Sequence, residues 1–294
     1  MRILSMLAES AIHAGTGAEL GYVDLPIQRE RPTGLPTIHG SGVKGAIRDI
    51  AGRDQKLDPK VVVELFGSEP FSGARGAALE PGALVFTDAR LLLLPCRTAG
   101  PAFAWVTSPM VLARLRRDAT EAGLSPPQAI NSGLADDKAL VADQQSAYSG
   151  SEVFVEEFRF TKVADPKVTA WAIFIRDHLL PTDQVYGFWR DQAPRALVVV
   201  SDDNFRDFAM HGTEVVTRVR LDPSKKTVVD KALWTEEYLP QDSLLYSLVA
   251  ATVRTKDAVQ VFGHLNTILG TYPVIQFGGK ETIGRGLVRL RLVP

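Results

Sequence analysis

The segment GSGVKGAIRDIAG, Gly40–Gly52, is where the choice of fold is made. Its first six residues formally match GxGxxG, the phosphate turn of a dinucleotide-binding sheet. That fold needs a convincing strand directly before the turn and an acidic residue about 20 positions later, at the end of a second strand. Only LPTI, Leu35–Ile38, precedes the glycines, and residues 60–66 read as helix, so the dinucleotide reading is rejected. What remains is a helix entered through a Gly-Ser-Gly turn, with Ser41 as its expected cap. Lys44 and Arg48 share one face of it. Gly40, Ser41 and Gly42 offer N–H groups and a hydroxyl near a helix N-terminus, a place that favours phosphate. A tight turn followed by two solvated cations accounts for the same residues equally well.

Outward from this helix, RILSMLAESAIH (Arg2–His13) alternates and reads as a first strand. A long polar loop joins the two, and loops of that length tend to be functional. It carries Asp24, in VDLPIQRE, with Glu19 and Glu30 as the loop's other acids. Downstream, DPKVVVELFG reads as a helix stopping at Gly67. GALVFTDARLLLLPCR reads as one strand, or two with a kink at Asp88, and PAFAWVTS as another. Ser108 is the expected cap and Pro109 the first position of a helix. Residues 124–150 are expected to be a mobile loop, and EVFVEEFRFTKV a single half-buried strand. ALVVV is a strand, followed by a cap at Ser201 or Asp202 and a short helix.

Two alternating arms around DPSKK predict a hairpin over about residues 213–242. SLLYSLVAATV is a strand, and KDAVQVFGHLNTILG an amphipathic helix with Val259, Phe262 and Leu269 on one side. The chain closes on a glycine-rich loop and the strand LVRLRLV. Stripped of insertions, each end runs strand, helix, strand. That is the order of a ferredoxin-like sheet, the scaffold of the RNA recognition motif. The expected class is α+β, with residues 1–294 as one elaborated domain and the hairpin as an insertion.

Composition restricts the function. Among 294 residues, 33 Lys and Arg face 34 Asp and Glu, a formal net charge of -1. This excludes a strongly basic tail but not a local positive stripe on which nucleic acid binds. Cys96 is the single cysteine, so neither an intrachain disulfide nor a CxxC zinc site exists, and its apolar strand predicts an inert thiol. No signal-peptide pattern opens the sequence and no apolar run approaches the ~20 residues that span a bilayer. The expectation is a soluble cytoplasmic protein without a membrane partner.

The second basic, glycine-rich segment is FGGKETIGRGLVRL. It sets Gly278, Gly279, Gly284 and Gly286 around Lys280 and Arg285, without P-loop spacing. Such dense glycines predict close approach of another backbone, and the two cations an anionic visitor. Two such segments at opposite ends of one sheet could serve one polynucleotide. Asp24 alone reads most simply as a turn acceptor or solvated charge, and His13 as structural. The remaining histidines lack zinc spacing, and GxSxG is absent.

Taken together, HAGTG (His13–Gly17), VDLPIQRE (Val23–Glu30) and GSGVKGAIR (Gly40–Arg48) resemble the RAMP superfamily, whose members process or carry CRISPR RNA. FTDARLLLLPCR, FAWVTSPMVLARL and LWTEEYLP narrow the resemblance to the backbone subunit of type III-B effector complexes, the Cmr module. The resemblance implies an RRM-like palm with finger-like insertions and a protruding thumb hairpin. It implies copies stacked in a helical filament on the CRISPR guide RNA, beside other subunits of the Cmr module. Gly40, Ser41, Gly42, Lys44 and Arg48 would hold guide phosphates, with Gly278, Gly279, Lys280, Gly284, Arg285 and Gly286 beside them.

Asp24 matches the family's catalytic aspartate. His13 and Glu236 fall at supporting positions, with Glu237 as the alternative if the register is off by one. The implied activity is endoribonuclease cleavage of complementary single-stranded target RNA at regular intervals, leaving 2′,3′-cyclic phosphate ends. A divalent cation (Mg²⁺ or Mn²⁺) is expected without a preformed metal site, and no organic cofactor. The alternatives are a non-catalytic guide-RNA scaffold and, from another class, a nucleotide-binding enzyme using GSGVKG.

Overall fold

The computed structural model describes residues 1–18, 21–55, 57–68, 80–222, 224–225, 227–252, 255 and 257–293. The first strand, β1 (Arg2–Ala8), is buried from Ile3 to Ala8, so both of its faces are covered. It stops short of the expected His13 because the chain leaves the sheet at Glu9, and Ile12 pairs instead with Leu239. After β2 (Thr37–Ile38) comes α1 (Gly40–Arg53), whose buried Gly40, Val43, Ile47 and Ala51 keep the helical period. Ser41 is not its cap. The capping position belongs to His39, and Asp88 Oδ1 accepts the Gly40 N–H at 2.7 Å, so Gly40–Gly42 form the first helical turn itself.

α2 (Pro59–Phe66) starts at Asp58, whose side chain accepts the Lys60 N–H, and ends at Gly67 with φ 89°. The next run divides into β3 (Leu84–Phe86) and β4 (Ala89–Cys96), with the break at Thr87–Asp88. β5 (Ala104–Thr107) leads into α3 (Pro109–Glu121), which Ser108 caps through the Val111 N–H. The stretch expected to be a mobile loop contains β6 (Lys138–Ala142), buried between other strands. Its five residues are too short to show a period, and only their neighbours define them.

The expected single strand at 152–163 is a hairpin, β7 (Glu152–Val155) and β8 (Phe158–Asp165). Alternation continues through the turn, but Glu156 takes φ 51° and its carboxylate accepts from Arg97 N and Nε. Residues 166–196 form a helical unit that periodicity does not announce. α4 (Pro166–Phe174) is apolar on most sides, Ile175–Leu179 widen into a π-helical stretch, and α5 (Gly187–Ala196) follows. β9 (Leu197–Val199) ends at Ser201, which caps α6 (Asp202–His211) through Asn204 N, whereas Asp202 accepts the Met110 N–H at the start of α3.

The hairpin strands are β10 (Glu214–Leu221) and β11 (Val228–Tyr238); Pro223 and Lys226 of the expected turn lie outside the described residues. β12 (Leu244–Ala251), α7 (Ala258–Thr271), β13 (Val274–Gln276) and β14 (Leu287–Val293) complete the chain. In α7, Phe262 and Leu269 are buried as expected, together with Val261, Leu265 and Ile268, but Val259 is exposed.

In the large mixed sheet β1 lies between β14 and β12, and β12 pairs with β4, all antiparallel. β4 continues through β5, β9, β6, β8 and β7, with β5–β9 and β6–β8 parallel. β10 and β11 pair only with each other as strands. Alternation along β1 shows what covers each face of the sheet. Arg2 sits over the Phe262 ring of α7, whereas Ser5 Oγ donates to Leu179 O at 2.6 Å. Arg291, paired with Ser5 across β14, donates to Leu180 O. One face therefore carries α7 and the other the helical unit 166–196.

Candidate functional site

The long loop after β1 is stitched to β11. Ile12 and Leu239 exchange backbone hydrogen bonds at 2.9 Å, Leu25 N donates to Thr235 O at 3.1 Å, and Glu237 N donates to Leu25 O at 3.0 Å. The side chain of Glu237, buried, completes the attachment. Its Oε2 accepts Ile27 N, and its Oε1 accepts Arg29 Nη2 and the Thr213 hydroxyl. Its own carbonyl takes His13 Nδ1 at 2.7 Å. Glu237 is thus an anchor for the loop, with no free oxygen in its carboxylate.

Asp24 stands on this anchored loop, exposed to solvent. Its Oδ2 accepts both the Thr235 N–H at 2.7 Å and the Thr235 hydroxyl at 2.9 Å. Asp24 N in turn donates to Thr235 Oγ1 at 3.0 Å. Oδ1 accepts nothing from the described residues. The Thr235 N–H, then its hydroxyl, hold the carboxyl below the usual carboxylate range, because both favour the ionised form.

His13 is buried with its ring 5.5 Å from that of Tyr238. A backbone carbonyl can only accept, so the bond to Glu237 O places the neutral imidazole's proton on Nδ1 and leaves Nε2 with a lone pair. Nε2 faces Gly15, where a Cβ would stand 2.8 Å from it. Glycine at 15 leaves that nitrogen uncovered.

Glu236 faces away from Glu237 and is also buried. Its Oε1 accepts Lys280 Nζ and Trp234 Nε1, and its Oε2 accepts the Tyr238 hydroxyl and Arg218 Nε. Burial works to raise its pKa, but the bonds from Lys280, Tyr238 and Trp234 prevail and hold it at about 2. With every lone pair engaged, Glu236 acts as a clamp on cations. It holds Lys280 and Arg218, while Arg285 lies 4.6 Å over the Tyr238 ring.

The glycine-rich loop is fastened beside them. Gly279 N donates to His13 O and Gly286 N to Ala11 O, each at 2.9 Å. The close backbone approach expected there occurs within the chain: a Cβ on Gly278 (φ +80°) would lie 2.2 Å from His13 O. Gly40 is similarly consumed by packing, since a Cβ there would lie 2.5 Å from Phe86 O. Its N–H is bonded to Asp88, so Gly40 offers no unpaired donor. Ser41 and Gly42 remain exposed at the start of α1.

Lys44 and Arg48 do share a helical face. Lys44 is half-buried with Nζ 3.3 Å from Leu84 O, and burial together with Arg48 pushes its pKa down. Arg48 has no hydrogen bond or ion pair to the described residues; it lines a shallow depression of about 440 Å³ with Gly45 and Gly52. Gln28 ties this helix to the rest, accepting His39 N at 2.8 Å and donating to Gly15 O at 3.2 Å. β13, which leads into the glycine-rich loop, packs against α1.

The fold therefore gathers the Asp24 loop, His13, the Glu236 clamp and the start of α1 at one edge of the sheet. Sequence reading missed Thr235, Tyr238, Arg218 and Gln28. For the first three the signal was the register of β11, which sets Trp234 opposite Arg218 and Thr235 opposite Thr217. Cys96 is buried, with burial pushing its thiol pKa well up. Among the described residues there is no group of three or more His, Cys, Asp or Glu that could hold a metal ion, and no helix long and apolar enough to cross a membrane.

The chain is similar to known proteins along nearly its whole length. The RAMP superfamily matches residues 6–289. The chain is 35% identical over 286 residues to the CRISPR system Cmr endoribonuclease Cmr4 of Pyrococcus furiosus, covering 95% of this chain and 91% of that one. It is 27% identical over 305 residues to the CRISPR system CMR subunit Cmr4 of Saccharolobus solfataricus, covering 97% and 94%. The crystal structure of oligomeric Cmr4 from Pyrococcus furiosus superposes with a TM-score of 0.74 at 27% identity, covering 99% of this chain and 97% of the other. By matched length and identity alike, the chain belongs to the RAMP superfamily.

Proposed function

We propose that this protein is the target-cleaving backbone subunit of a type III-B CRISPR effector of the Cmr type, acting in the cytoplasm. It binds guide RNA, stacks with copies of itself along it, and cuts complementary target RNA at regular intervals. The observation that carries this reading is the setting of Asp24: an exposed carboxylate, pinned at one oxygen, on a loop anchored to the same strand whose Glu236 holds Lys280 and Arg218. The identity of 35% to an endoribonuclease over 95% of the chain supports it.

On this reading β14, β1, β12 and β4 with α1 and α7 are a ferredoxin-like palm, and β10–β11 is the thumb. The covered faces of β1 favour RNA held at the loops rather than stacked on that strand. Arg48 and the exposed first turn of α1 take guide phosphates, and Lys280, Arg285 and Arg218 supply further positive charge. Val219 and Leu233, paired and exposed on the hairpin, give it an apolar flank to set against bases. Guide–target pairing reads the sequence, so near-zero net charge is no obstacle.

In the cut, the target's 2′-oxygen attacks the adjacent phosphorus and its proton passes to a base. The bond to the 5′-oxygen breaks and that oxygen takes up a proton, leaving 2′,3′-cyclic phosphate and 5′-hydroxyl ends. In-line alignment supplies much of the acceleration. Asp24 is ionised and, with its lowered pKa, a weak base, which suits orienting and electrostatic work. His13, its ring held at Nδ1, offers the Nε2 lone pair to take that proton.

Asp24 would be the residue to hold a hydrated Mg²⁺ or Mn²⁺, since Mg²⁺ keeps most of its waters and needs few carboxylates. When bound, it would neutralise phosphate charge. The test is the effector reconstituted with guide and either wild-type protein or Asp24→Asn, with target cuts mapped at nucleotide resolution. Regular cuts lost in the variant at unchanged target binding support the proposal. Cuts that persist make the chain a scaffold.

A further inference from the structure

We infer that Thr235 is the positioning residue for Asp24: its hydroxyl and N–H aim the carboxylate so that Oδ1 alone faces the RNA. This rests on the reading of Asp24 as the catalytic carboxylate. The two residues lie 211 positions apart, yet three hydrogen bonds of 2.7–3.0 Å join them. The hydroxyl has one proton and two lone pairs, so giving its proton to Oδ2 while accepting Asp24 N uses it in both directions. Asp24's backbone and carboxylate are therefore fixed together, on a side chain that is otherwise exposed.

Three titratable groups packed around the loop are engaged elsewhere. Glu236 is turned to Lys280 and Arg218, Glu237 to Arg29, and His13 to the Glu237 carbonyl. Thr235 is the residue that addresses Asp24. Because Thr235 belongs to the hairpin, the aim of the carboxylate depends on the hairpin's seating on the loop.

The experiment compares assembled effectors carrying wild-type protein, Thr235→Val, Thr235→Ser and Asp24→Asn. It reads single-turnover cleavage against pH, target affinity, and the ¹³C-carboxyl titration of Asp24 in the free full-length chain. Valine keeps the shape and the backbone N–H but loses the hydroxyl. It should slow cleavage roughly ten-fold or more at unchanged target affinity. Losing a bond to the ionised form raises the Asp24 pKa, so the acid limb and the carboxyl titration should both move to higher pH. Serine should restore rate and titration together.

A wild-type rate and an unmoved titration in Thr235→Val would overturn the inference. So would equal loss of rate and target affinity in both Thr235 variants, which would mark a purely structural contact. Full cleavage by Asp24→Asn would overturn the functional reading, and Thr235's part in the reaction with it. The titration separates the cases, because it reports Thr235's hold on Asp24 without any cleavage.

Discussion

Glu236 and Glu237 are neighbours on β11, both buried, and they pin two different loops from opposite faces of one strand. Glu236 holds Lys280 of the glycine-rich loop, and Glu237 holds Arg29 and Ile27 of the Asp24 loop. Strand alternation is what sends the adjacent carboxylates apart. The base of the hairpin thereby sets the spacing between the proposed cleavage loop and the cations beside it.

Glu236 should make stability pH-dependent in a defined window. Its carboxyl falls from an ordinary 4.5 to about 2 on folding, so its contribution is complete above the unfolded value and is lost as pH falls from ~5 to ~2. The shift corresponds to about 3 kcal/mol. Urea denaturation between pH 2 and 6 should show this loss in wild type and a flatter profile in Glu236→Gln.

Gly15→Ala would place a Cβ 2.8 Å from His13 Nε2 while the ring is held at Nδ1 by Glu237 O. Cleavage should fall roughly ten-fold or more, with target affinity retained, if Nε2 takes a proton in the reaction. Single-turnover rates beside thermal melts of the variant check this. A wild-type rate would remove His13 from proton transfer.

The two cations on α1 should separate. Arg48→Ala should weaken guide-RNA binding and reduce its salt slope by about 1, with stability unchanged to within about 0.5 kcal/mol. Lys44→Ala should lower stability as well, since Lys44 is half-buried and bonds Leu84 O. Filter binding across a salt series and denaturant melts measure both.

Lys280 occupies the left-handed region at φ 70°, where glycine is favoured by about 1 kcal/mol on backbone grounds. Lys280→Gly relieves that strain but strips Glu236 of an ion partner and the loop of a charge. Guide binding should weaken, and stability should fall despite the easier backbone, because Glu236 then has only Arg218 as a cationic partner. Stability equal to wild type would show that the clamp contributes little.

The legible elements were those with local signals. α2, α3 and α6 carry capping side chains at Asp58, Ser108 and Ser201, and the first two have Pro at the first helical position. α1 and α7 carry a buried stripe at helical spacing. β6 is too short to show a period, and α4, although Asp165 caps it through the Lys167 N–H and Pro166 opens it, is apolar on most sides and shows none. The β7–β8 turn was hidden by alternation that runs straight through Glu156. Asp24 was singled out by its place in VDLPIQRE and by resemblance, but nothing near it in sequence named Thr235.

The sequence by itself determined the local elements, the single inert cysteine, the basic and glycine-rich segments, and membership of a family through its motifs. Only the tertiary structure decided what those residues do to one another. It showed that Gly40 and Gly278 serve the chain's own packing, that Glu236 and Glu237 are saturated anchors, and that Thr235 fixes Asp24. The physical reason is that caps and periods are written within a few residues. A hydrogen bond across 211 positions exists only once β11 has been laid beside the loop it holds.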